Sequence, residues 1–139
     1  MHPTLLVHSR QEPARRLLRL MLEGEGLGCR VFADGDSVLE ALEGLPVAVV
    51  VVDARDPDEE GLLLLGLLGR RFPGAMRLVL HVGGARLHTA SGSEECAWET
   101  SEVLGPFPAL PSAGELAAAV RHLGAQAQLA VLRPAVGQA

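Results

Sequence analysis

Short apolar runs and amphipathic stretches alternate along the chain, and the alternation predicts strand followed by helix, repeated. Thr4 to Val7 is a mostly apolar run of the kind a buried strand carries. Ser9 with Glu12 three residues on has the form of a capping box, and Pro13 falls in a first helical turn, where its missing N–H costs nothing. Ala14, Leu17, Leu18 and Met21 then recur at helical spacing, with Arg15, Arg16 and Arg19 on a solvated face and glycines 24, 26 and 28 closing the helix. Cys29 to Ala33 predicts a second strand ending in an Asp34-Gly35 turn. Ser37 with Glu40 repeats the capping-box spacing and opens a helix through Leu45, which Pro46 breaks.

Val47 to Val52 is an unalternating run of small apolar residues, as expected of a strand covered on both faces, and it ends at Asp53. A polar loop leads into a leucine-rich helix from Leu62 to Leu68, Pro73-Gly74 makes a turn, and Met76 to Val82 reads as a fourth strand ending near His81. From Gly83 to Thr100 the pattern weakens. Ser91 with Glu94 suggests a short, poorly supported fourth helix through Trp98, and Glu102 to Leu104 a short fifth strand. Ser112 with Glu115 opens a last helix whose face carries Leu116, Ala119, Val120 and Leu123.

Strand and helix alternating about five times with short connections predict an α/β protein: a three-layer, doubly wound, five-stranded parallel sheet. Residues 1–124 form the expected domain, and 125–139 extend the last helix or form a tail. In such sheets chemistry gathers at the carboxyl ends of the strands, which here means His8, Ser9, Asp53, His81 and the neighbourhood of Gly105.

Composition narrows the function. With 12 basic and 17 acidic residues the net charge is -5, which argues against a nucleic-acid surface. Lys, Ile, Asn and Tyr are absent, the mark of a GC-rich genome, so no mechanism can use a lysine amine. Cys29 and Cys96 fit neither a disulfide framework nor a zinc spacing. No apolar run is long enough for a membrane span and no signal peptide is evident, so a cytoplasmic protein with no membrane or nucleic-acid partner is expected.

The run Val-Val-Val-Asp53-Ala-Arg-Asp-Pro57-Asp-Glu-Glu-Gly61, with Leu5-Leu6-Val7, Asp34-Gly35 and Gly105-Pro106-Phe107 at matching places, resembles the receiver domain of two-component response regulators over roughly Thr4 to Leu123. The resemblance implies the flavodoxin-like receiver fold, a non-enzymatic role in phosphorelay signalling, and Asp53 as the phosphoacceptor equivalent. It also exposes losses. Where the family carries an acidic pair to hold Mg²⁺, this chain has His8 and Ser9; its hydroxyl residue at the end of strand four is His81, its lysine is Gly105, and its aromatic switch residue is Glu102. Mg²⁺ wants hard oxygen ligands, and phosphoryl transfer needs charge neutralised over the equatorial oxygens. A degenerate, stand-alone receiver that signals by protein–protein contact without phosphorylation, with Mg²⁺ binding weak or lost and no other cofactor, is therefore expected.

Other readings of the same residues stand beside this one. Asp53 is a working acceptor with an unusual site, or a residual strand-end carboxylate. Ser9 is a site residue, or simply the helix N-cap. His8, Asp53 and His81 form a transition-metal set, or histidines filling space the lost acids left. Leu62, Leu65 and Leu68 are a partner or self-association surface, or a buried helix. Trp98, beside Glu94, Glu95, Glu99 and Glu102, marks a docking point or a solvated face.

Overall fold

The computed structural model describes residues 4–45, 48–55, 59–81, 84–89, 92–97, 101–104 and 107–137. Four parallel strands, β1 (Thr4–His8), β2 (Arg30–Phe32), β3 (Ala48–Asp53) and β4 (Met76–His81), are followed by two antiparallel ones, β5 (Gly84–Thr89) and β6 (Gly92–Ala97), in the order β2-β1-β3-β4-β5-β6. Helices α1 (Glu12–Gly24), α2 (Gly35–Leu42), α3 (Glu59–Arg71) and α4 (Ala113–Gly137) cover the sheet.

Side chains alternate across a strand, and here the alternation sorts them into two aliphatic cores. Leu5 and Val7 of β1, Val49 and Val51 of β3, and Met76, Leu78 and Leu80 of β4 pack with Leu18 and Leu22 of α1 and Leu116, Val120 and Leu123 of α4. Leu6, Ala48, Val50 and Val52 face the other way, against Val38, Leu39 and Leu42 of α2 and Leu64 and Leu68 of α3. Burying each such Val or Leu side chain is worth about 1.5–3 kcal/mol, so the parallel half carries most of the hydrophobic stabilisation.

The described residues up to 81 follow the expected pattern, with changes at the helix starts. The capping box at Ser9 does not form: α1 begins one residue after Gln11, which makes no side-chain cap. Nor is Ser37 a cap, because Asp34 fills that role for α2, accepting from the Ser37 N–H at 2.8 Å. Ser112 behaves as expected, its hydroxyl accepting from the Glu115 N–H at 3.2 Å.

Beyond β4 the expected order changes. The short fourth helix expected through Trp98 is replaced over Gly92–Ala97 by β6, and Trp98 itself lies outside the described residues. The stretch has no apolar stripe at helical spacing, whereas Ala85-Arg86-Leu87-His88 alternates with period two and makes β5, on which β6 pairs. The expected fifth strand does form as β7 (Ser101–Leu104), but it pairs antiparallel with β8 (Phe107–Pro111) in a separate two-stranded sheet instead of extending the parallel one. The large sheet is thus six-stranded and mixed. Helix α4 runs past residue 124, and Ala127 is still in the core.

Candidate functional site

Asp53 ends β3, paired with Leu80 of β4, and the next residue keeps the ladder going as the Ala54 N–H donates to Leu80 O at 2.8 Å. Ser9 follows β1, with its N–H on Phe32 O at 3.3 Å. Adjacent parallel strands therefore end side by side, and the Ser9 hydroxyl donates to Asp53 Oδ2 at 2.8 Å across 44 positions of sequence. This long-range partner explains why Ser9 does not cap α1: a buried carboxylate is a stronger acceptor to satisfy than a helix end open to water. Arg15 of α1 steadies the same loop, donating from Nη1 to Ser9 O at 2.8 Å and to Arg10 O at 3.0 Å.

The residue that decides the chemistry is Arg55. Its Nε donates to Asp53 Oδ1 at 2.7 Å and its Nη2 to Oδ2 at 2.8 Å, a two-pronged fork, while its own backbone N–H reaches Oδ1 at 3.2 Å. Side-chain exposure is 3% for Arg55 and 5% for Asp53. A carboxylate offers about four lone-pair positions, and each oxygen of Asp53 here receives two donors, so the acceptor capacity is filled. Burial pushes the Asp53 carboxyl up, but the Arg55 hydrogen bonds and charge, then the Ser9 hydroxyl, outweigh it and hold the group below its ordinary value. Asp53 is an anion locked to a cation.

The family's metal is tested by the same geometry. Mg²⁺ wants carboxylate and water oxygens in near-octahedral array. Here the strand-end carboxylate is taken by a guanidinium, and its other neighbour, Ser9, spends its hydroxyl proton on the same group. Among the described residues this donor set does not fit Mg²⁺.

The expected trio of His8, Asp53 and His81 is not brought together as a metal set. His8 pairs with Val52 and shares its face, so by strand alternation it looks toward α2 and α3, while Asp53 looks toward α1 and α4. His8 is fully buried, while the Asp34 carboxyl on the neighbouring turn is held below its ordinary value first by the Ser37 hydrogen bonds. His81 also lies on the α3 side, where its Nε2 is 3.1 Å from Glu95 Oε2. Among the described residues, no group of three His, Cys, Asp or Glu side chains is placed to hold a metal ion.

The remaining candidates divide. Leu68 is wholly buried in the α2–α3 core and offers no surface, Leu65 is half-buried, and Leu62 is exposed. Glu102 lies on β7, its side chain outside the described residues, as are Gly105 and Glu99. Sequence reading passed over Arg55. The available signal was an arginine two residues beyond a strand-end aspartate in a chain that has no lysine to meet that charge.

No protein-family model matches the chain, and no curated protein matches its sequence. Solved structures do. The receiver domain of the Francisella response regulator 1452 is 22% identical, over 87% of this chain and 95% of that one, with a TM-score of 0.58. The signal receiver domain of an HD domain-containing protein from Pseudomonas fluorescens Pf-5 is 23% identical, over 58% of this chain and 65% of that one, at a TM-score of 0.50. A sensor protein from Polaromonas sp. JS666 is 29% identical, over 58% of this chain and 66% of that one, at a TM-score of 0.50. The chain spans less than two thirds of the length of several structures it matches. Among the described residues no helix is long and apolar enough to cross a membrane.

Proposed function

The chain has the fold of response-regulator receiver domains, and from that premise we propose that it is a signalling module working through protein–protein contact, its Asp53 locked so that its interactions do not wait on phosphorylation. The Arg55 fork is the observation that carries this reading. In-line attack on phosphorus needs a free lone pair on the carboxylate and cations over the equatorial oxygens. Asp53 has neither: its oxygens are filled, and the guanidinium that neutralises it is spent on it. Freeing the carboxylate means breaking a buried ion pair, at about 3–5 kcal/mol, which slows any transfer by about a hundred- to several-thousand-fold before chemistry begins. The chain also has no lysine to hold the phosphoryl oxygens.

Intact-mass spectrometry after incubation with acetyl phosphate and Mg²⁺ tests this. The wild-type protein is expected to keep its mass. A phosphoryl adduct on wild type that is absent from Asp53→Ala would overturn the reading and restore Asp53 as a working acceptor.

A further inference from the structure

Among the described residues, the face of β4, β5 and β6 that looks toward α3 is polar, carrying Arg77, Arg86, His88 and Glu95. Arg77 and Val79 of β4 lie opposite His88 and Arg86 of β5, and Arg86 lies opposite Glu95 of β6. Among the described residues α4 is the only helix packed broadly on β4 and β5, and it lies on the other side, over Leu78, Leu80 and Leu87. The α3 side holds a cavity of about 530 Å³, floored by Val79, walled by Leu65 of α3 and ringed by Arg77, Arg86 and His88.

Leu65 of α3 lines this cavity, and Leu62, Gly66 and Gly69 fall on the same helix face at i, i+3, i+4 and i+7 spacing. Leu62 is 62% exposed. A Cβ on Gly66 would meet nothing within 4 Å, and one on Gly69 would meet only Arg77 Nη1, at 3.3 Å. Small residues on such a stripe let a second helix approach closely. Charge sets what that helix must carry. Among the described residues two arginines stand here against one carboxylate, Glu95, in a chain whose net charge is -5. Arg77 makes no ion pair among the described residues, and its Nε is buried without a hydrogen bond. The His88 imidazole feels the same field: burial lowers its pKa first, and the charges of Arg77 and Arg86 lower it further.

We propose that the groove between α3 and the polar face of β4–β6 is a docking site for an acidic amphipathic helix of a partner protein, its apolar residues on Leu62, Leu65 and Val79 and its carboxylates on Arg77 and Arg86. The helix lies beside α3, on the side of β4–β6 where no described helix packs broadly. The surface gives the signalling reading a place of contact, yet it lies apart from Asp53, so the phosphodonor result and the docking result succeed or fail separately.

The probe is a short synthetic helix with leucines and glutamates spaced four residues apart, titrated calorimetrically into the full chain, with a lysine-for-glutamate helix as its control. The acidic helix is expected to bind saturably, more weakly at high salt, and the basic one not at all. Arg86→Glu, at a half-exposed position that tolerates change, and Arg77→Glu should each weaken binding by about tenfold or more, while Arg16→Glu on α1 should not. No saturable binding, or equal binding by all three variants, overturns the proposal. So does sedimentation showing a wild-type dimer that Arg86→Glu dissolves, because the occupant is then a second copy of this chain.

Discussion

Asp53 and Glu95 are two carboxylates of one sheet, on a central strand and on an edge strand, each held between an arginine and a second polar side chain, and burial gives them opposite meanings. Asp53 has Arg55 and Ser9, with its side chain 5% exposed; Glu95 has Arg86 and His81, with its side chain 55% exposed. Around Asp53 the pair was taken out of water when the valine-rich strands closed, and removing either partner leaves a bare charge in a place with no water to receive it. Around Glu95 water competes for every donor, the pair is worth little, and an incoming carboxylate can replace it at Arg86. The same hydrogen-bond pattern is therefore a lock in one region and an exchangeable contact in the other.

The contrast breaks first, if it breaks, at Arg55. Arg55→Ala should lower the unfolding free energy by about 3–5 kcal/mol in urea titration, because it strands Asp53. The double variant Asp53→Leu/Arg55→Met should recover most of that loss, since an apolar pair of similar size leaves no orphan charge. A small loss in the single variant would mean that water reaches Asp53 after all.

Acid sharpens the same comparison. The folded Asp53 carboxyl lies below its unfolded value, so its contribution is fully present above about pH 4 and disappears as pH falls through the lower folded value. Urea midpoints followed down through that window should fall more steeply for wild type than for Asp53→Asn. Parallel curves would show that Asp53 is not the group being stabilised.

At the edge strand the effects shrink. Arg86→Ala should cost less than about 1 kcal/mol, because its pair with Glu95 is exposed. Gly66→Ala should stabilise the chain by about 0.5–1 kcal/mol, since a glycine inside α3 is replaced by a good helix former with open space around it, as thermal unfolding would register. If the groove receives a helix, that same methyl should weaken the docking.

Legibility in the sequence divides along the same line. The parallel half announces itself through the unbroken valines of β3 and the apolar stripes of α1 and α2, because burial on both faces leaves no other choice of residue. Ser9 was misread because a capping box is a local spacing, whereas its hydroxyl goes to a partner 44 residues away. Arg55 is faint for a related reason: its place two residues beyond a strand-end aspartate in a lysine-free chain is the one signal, and nothing else in a polar loop separates the arginine that is buried from those that stay in water. The β5–β6 hairpin was half legible. Alternating Ala85, Arg86, Leu87 and His88 spell a strand with one wet face, but a Ser-x-x-Glu spacing nearby imitated a helix start where no apolar stripe existed to hold one.

Backbone amide NMR during addition of Mg²⁺ and then beryllofluoride reads the lock at Asp53 without relying on catalysis. The resonances of Ser9, Asp53 and Arg55 are expected to stay where they are, because the carboxylate has no lone pair to offer. Saturable shifts at those three residues on adding the pair, lost in Asp53→Ala, would contradict the claim that Arg55 holds Asp53 closed.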